Sequence, residues 1–198
     1  MQNSFFLKEP FVDILEEPKK NSNVSSQLIY GESFKIISKK NNYFKIKTSY
    51  DKYSGFIKKI DSYEKFNPTH KVGILKARIY LGNKKKKSKK FLPFTSKIQI
   101  LKKDQNFIMY KKDKWLRSKD IFPIQKKNSD FVKIFKSFLN CKYKWGGKTF
   151  EGIDCSALLQ IFYKFNGPKK RVIIMPIKKT IKLIKETAKL DVKKVTRI

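Results

Sequence analysis

The stretch Phe34-Lys-Ile-Ile-Ser-Lys-Lys-Asn-Asn-Tyr43 returns in pattern 64 positions later as Ile98-Gln-Ile-Leu-Lys-Lys-Asp-Gln-Asn-Phe107. Apolar positions, polar turn and following aromatic all coincide, and within each copy the apolar residues alternate at the period of two that a half-buried strand requires. Phe34 and Ile36, then Phe44 and Ile46, are predicted to share one face of a hairpin turned through Lys39-Lys40-Asn41-Asn42. Further along, Ser54-Gly-Phe-Ile-Lys-Lys-Ile-Asp61 lies over Asp113-Lys-Trp-Leu-Arg-Ser-Lys-Asp120 at a shift of 59, with Phe56 over Trp115 and Ile57 over Leu116, so the second copy has a shorter hairpin. A doubled all-β unit of about sixty residues is too small for a layered sandwich, which predicts two small barrels in tandem, each burying one hydrophobic stripe.

Pro68 and Thr69 mark the junction between the copies, which places His70, the one histidine of the chain, at the start of the second, in a structural or exposed role. After Pro123 the period changes. Ser129 or Asp130 can cap a helix through Phe131–Asn140, in which Phe131, Ile134, Phe135 and Phe138 recur at helical spacing. A Gly146-Gly147 turn follows. A second helix is then predicted to begin at Cys155, with Asp154 or Ser156 as its cap and Leu158, Leu159, Phe162 and Phe165 as its buried face. A thiol in a first helical turn faces free backbone N–H groups and the positive end of the helix dipole, which favour its thiolate. Local physics alone leaves Cys155 open to a reactive or a buried structural reading; Cys141 reads as a small buried hydrophobe.

The formal charge is +32, from 48 Lys and Arg against 16 Asp and Glu, and such an excess favours polyanionic partners. Only four of these residues are arginines (Arg78, Arg117, Arg171, Arg197), and the lysines are spread over the whole length. Readers of grooves and phosphates favour arginine's fork, so no specific nucleic-acid partner is expected, and Asn83–Lys90 is read as a solvated hairpin tip. The two cysteines, without nearby histidine, predict neither zinc nor a disulfide framework, and no cofactor is expected. Acidic residues interrupt each early apolar run, so no secretory signal or membrane span is predicted and a cytoplasmic location is the expectation. Oligomeric state is not legible.

The words around the cysteine carry a resemblance. Tyr143-Lys-Trp145-Gly-Gly147, followed after a short spacer by Gly152-Ile-Asp154-Cys155-Ser156-Ala-Leu158-Leu159-Gln160, is strongly similar to the NlpC-type papain-like cell-wall cysteine peptidases, whose members carry Tyr-x-Trp-Gly-Gly and Gly-x-Asp-Cys-Ser-Gly-Leu-Val-Gln. Residues 8–124 likewise resemble tandem bacterial SH3 domains, the steps Gly55-Phe-Ile and Lys114-Trp-Leu resembling that family's Gly-Trp-Val ending.

The resemblance implies an α+β chain: SH3-like units over 8–64 and 68–124, then a papain-like domain over 128–198. Cys155 would be the nucleophile of amide hydrolysis in peptidoglycan stem peptides, and Tyr143, Trp145, Asp154 and Ser156 would line the substrate cleft. Ala157 stands where the family has glycine, a change a helix accepts. The family's histidine-bearing strands, which follow the nucleophile helix, have no counterpart here. After Asn166 the chain passes to a strand-like run, Val172–Met175, and an amphipathic stretch from Pro176 to Leu190, which implies an internal deletion near 166–167. Such a chain would be a cysteine endopeptidase by descent with impaired chemistry, or a non-catalytic binder of wall peptides. The same loss would leave Leu158, Phe162 and Phe165 partly uncovered.

Overall fold

The structure is a computed structural model and describes residues 4–128 and 130–167. The first unit contains β1 (Phe5–Leu7), β2 (Phe11–Leu15), β3 (Val24–Ile29), β4 (Ser33–Lys40), β5 (Tyr43–Thr48), β6 (Ser54–Lys58) and β7 (Ser62–Tyr63). They form one antiparallel sheet in the order β3-β2-β6-β5-β4-β1-β7, an order with two open edges. The second contains β8 (His70–Val72), β9 (Lys76–Leu81), β10 (Lys86–Pro93), β11 (Lys97–Ile98), β12 (Lys102–Asp104), β13 (Phe107–Lys111), β14 (Lys114–Arg117) and β15 (Ile121–Pro123). These divide into a five-stranded sheet, β10-β9-β14-β13-β12, and a three-stranded one, β11-β8-β15. The expected closed barrels are therefore not what the hydrogen bonding draws: the copy of β4 is broken between β11 and β12, whose residues join different sheets.

The repeated hairpin is drawn as the alternation predicts. Ile36 pairs with Ile46 and Lys40 with Tyr43 across a turn at Asn41-Asn42, and Asp104 pairs with Phe107 across Gln105-Asn106, 64 positions on. Asn41 and Gln105 share positive φ, 51° and 48°. Only Asn83–Lys85 lie at the tip of the lysine-rich hairpin; Lys86–Lys90 run up β10, and Lys85 turns inward to pair with Asp104 against the rings of Phe107 and Trp115.

Three cores result. Leu7, Ile14, Leu28, Phe34, Ile46 and Ile57 fill the first. The second gathers Val72, Ile98, Ile108, Tyr110 and Leu116 around Tyr30, an aromatic lent by the first unit, whose phenol burial holds far above its ordinary pKa. The third core packs α1 (Phe131–Lys136) and α2 (Cys155–Asn166) on Phe94, which comes from the second unit. Asp130 caps α1, its carboxylate accepting from the Lys133 N–H at 2.9 Å. The helix is shorter than its periodicity predicts and ends at Lys136, yet Phe138 reaches the core from the turn beyond.

The buried face of α2 also differs from expectation. Ala157, Ile161 and Phe165, at i, i+4 and i+8, lie deepest, while Leu158, Leu159 and Phe162 are half-buried. Phe165 is covered, because its ring stacks on Phe94 at 5.0 Å and 11°. The run Val172–Met175 and the amphipathic stretch to Leu190 lie outside the described residues.

Candidate active site

Cys155 opens α2. Asp154 before it is extended (φ −95°, ψ 168°), and its Oδ1 accepts from the Ala157 N–H at 2.7 Å and from the Ser156 hydroxyl at 2.8 Å. This is an N-cap in which the carboxylate both satisfies a free helical N–H and complements the dipole. Both bonds fall on one oxygen. The Cys155 side chain is exposed. Cys141 is half-buried against the third core rather than fully enclosed, and burial pushes its thiol pKa up against the opposing pull of Lys76.

The segment before the helix is folded back beside it. Gly147 N–H donates to the Lys144 carbonyl at 2.9 Å, closing a turn in which Gly146 takes φ +68°. The chain then runs through a two-stranded ribbon, β16 (Lys148–Thr149) and β17 (Gly152–Ile153), and the Asp154 N–H returns to the Gly147 carbonyl at 3.1 Å. Tyr143 bridges Ile153 in parallel register, and Ile153 directly precedes Asp154 and Cys155. Its phenol pKa is raised first by partial burial and then by the charges of Cys155 and Asp154. Tyr143 and Trp145 are 55% and 60% exposed. Tyr143, Asp154, Cys155 and Ser156 thus stand together, and Trp145 projects from the same turn.

His70 lies apart from this group in its bonding. It sits on β8, its Nδ1 is 2.9 Å from the Thr69 hydroxyl, and its protonation is disfavoured by burial and then by Lys103, all within the second unit. Among the described residues no group of three or more His, Cys, Asp or Glu is placed to hold a metal, and no helix is long and apolar enough to cross a membrane. Sequence reasoning missed Asp13 and Gln27 of the first sheet and Asp51 of the β5–β6 turn, which bond to the turn at Lys144 and Lys148. They lie 97 to 131 positions away in the chain, and no local pattern marks them.

Residues 14–61 match the family described as the bacterial dipeptidyl-peptidase Sh3 domain. The fold is similar to that of an NlpC/P60 family protein from Bacillus cereus ATCC 10987, with a TM-score of 0.68 at 17% identity over 83% of this chain and 72% of that one. NlpC2 and NlpC1 from Trichomonas vaginalis align over 83% of this chain and 66% and 63% of theirs, at 17% and 16% identity, with TM-scores of 0.31 and 0.30 that establish no shared fold. No curated protein matches the sequence. Residues 14–61 are thus similar to a bacterial SH3 domain, and the chain shares its fold with an NlpC/P60 family protein.

Proposed function

We propose that this chain is an NlpC-type cysteine peptidase by descent, that it takes peptidoglycan stem peptides, and that Cys155 stands at the nucleophile position. The observation that carries the reading is an exposed thiol in the first turn of α2, on a helix capped by Asp154 and flanked by Tyr143. In this reading residues 8–64 and 68–124 are SH3-like modules, residues 128–198 are the peptidase unit, and Tyr143, Trp145, Asp154 and Ser156 line the cleft. The free Asp154 oxygen receives the amine of a peptide's N-terminus, and the exposed aromatics flank its backbone.

The chemistry has a missing partner. A cysteine peptidase passes the thiol proton to a base and returns it to the leaving amine, and the one histidine of the sequence, His70, bonds within the second unit. General acid–base assistance contributes about 10²–10⁴-fold, so hydrolysis by this chain should run slower than an imidazole-assisted reaction by that factor, while binding of the peptide persists.

The test pairs muropeptide binding and turnover with alkylation of the two cysteines. Binding, turnover near the detection limit that disappears in Cys155→Ala and survives in His70→Ala, and iodoacetamide labelling of Cys155 at least about tenfold faster than Cys141 are expected. Equal slow labelling of both thiols, with no muropeptide binding, would overturn the proposal; brisk turnover lost in His70→Ala would overturn the account of the missing base.

A further inference from the structure

We infer that Gln27, on β3 of the first sheet, is a positioning residue for Cys155, acting through the backbone amide of Lys148. Its side chain has no exposed surface. Its Oε1 accepts from the Lys148 N–H at 2.7 Å, and its Nε2 donates to Asp13 Oδ1 at 2.7 Å, the residue directly opposite on β2. Asp13 in turn holds the Lys144 ammonium at 3.2 Å. At the far end of the turn the Lys148 ammonium, 4% exposed, lies 2.7 Å from Asp51 Oδ2. Burial works against the charge on Asp51, yet Lys148 and the Thr48 hydroxyl hold its carboxyl down to about 2. Both ends of the Lys144–Lys148 turn are thus tied to side chains of the first unit, and Gln27 alone among these groups serves a buried backbone N–H and a carboxylate together.

The route to the thiol is short. Lys148 adjoins Gly147, whose carbonyl accepts the Asp154 N–H, and Asp154 caps the helix that begins at Cys155. Withdrawing the Gln27 acceptor leaves the Lys148 N–H buried without a partner, so the turn shifts toward water and takes the Asp154 cap with it. A displaced cap weakens the field of helix N–H groups on the thiol. Packing alone does not require a glutamine here, since an apolar side chain of similar size would fill the same space.

The inference rests on Cys155 being the reactive atom, and its test is separable from peptide turnover. The full chain carrying Gln27→Leu, and separately the pair Gln27→Glu with Asp13→Asn, which keeps the acceptor for Lys148 and lets the amide at position 13 donate to the new carboxylate, is alkylated with iodoacetamide at pH 7, with Cys141 as the reference thiol in the same molecule. In Gln27→Leu the Cys155 rate should fall about two- to fivefold relative to Cys141, the scale of a lost helix-terminus interaction. The paired variant should stay within about twofold of the parent on that scale. Should Gln27→Leu not fold, Asp51→Asn, at the rim of the same network, should slow Cys155 relative to Cys141 as well. An unchanged Cys155 rate, or a parallel rise of both thiols reporting general loosening, refutes the inference. A slowed Cys155 in a chain that neither binds nor cleaves muropeptide would uphold Gln27 while sinking the peptidase reading.

Discussion

Two glycines in the left-handed region offer a measurement of how tightly the Cys155 turn is seated. Gly82 (φ +66°) closes an exposed hairpin, and a Cβ built there meets nothing within 4 Å. Gly146 (φ +68°) carries the turn before the cysteine, and a Cβ there would lie 2.9 Å from Ser25 C and Ser26 N and 3.0 Å from Val24 O, all backbone atoms of β3. Alanine at Gly82 therefore incurs the conformational term alone, about 1–2 kcal/mol for an L-residue in this region. At Gly146 the same term is joined by a contact that no side-chain rotation relieves, because the strand itself must move. Overpacking of this kind adds about 1–3 kcal/mol. The expectation is a loss of about 1–2 kcal/mol for Gly82→Ala and about 2–5 kcal/mol for Gly146→Ala.

Thermal or urea unfolding reads both numbers. At about 2–4 °C per kcal/mol for a chain of this length, Gly82→Ala should lower Tm by roughly 2–8 °C and Gly146→Ala by appreciably more. Tryptophan fluorescence adds a local readout, since Trp145 adjoins Gly146 and the only other tryptophan is Trp115. Gly146→Ala should change the Trp145 emission and the Cys155 alkylation rate, while Gly82→Ala leaves both alone. Equal destabilisation by the two substitutions, within about 0.5 kcal/mol, would refute the claim that the turn is pressed onto β3, because the shared φ term would then account for everything.

Three further outcomes follow from the packing and the charges. Phe165→Ala removes a ring that is 4% exposed and stacked on Phe94, and should cost about 3–5 kcal/mol by calorimetry or urea titration. Asp154→Ala deletes the N-cap of α2 and should cost about 1 kcal/mol, with slower Cys155 alkylation at pH 7 as its functional trace. Lys71, whose ammonium donates to the Ile124 and Phe165 carbonyls, is lowered by burial, then by Lys97 and Lys127, from 10.5 to about 8. The folded state then releases this proton before the unfolded chain does. The Lys71 contribution to stability should rise from pH 8 to about 10.5 and be flat below 8, and Lys71→Met should abolish that rise.

Much of this was legible in one dimension. The 64-residue repeat gave the two hairpin turns at Asn41-Asn42 and Gln105-Asn106, because turn chemistry and alternation are local and survive whatever the strands later pair with. The words from Tyr143 to Gln160 gave the helix start and narrowed its cap to Asp154 or Ser156, of which the helix takes Asp154, because an N-cap is settled within four residues. Alternation could not say that β11 and β12 would part into different sheets, since a strand's period is identical whichever neighbour it bonds. Helical spacing likewise named Leu158, Leu159 and Phe162 as the buried face of α2, whereas Phe94 lies opposite Phe165 and the cover falls on Ala157 and Ile161 instead.

By itself the sequence determined where strands, turns and the helical cap form and which thiol stands at a helix start, because those choices rest on side chains a few positions apart. Tertiary structure alone decided what grips that thiol's surroundings. Gln27, Asp13 and Asp51 meet Lys144 and Lys148 only after the chain has folded back across about a hundred residues, and a hydrogen bond that short in space and that long in sequence leaves no period or motif to read.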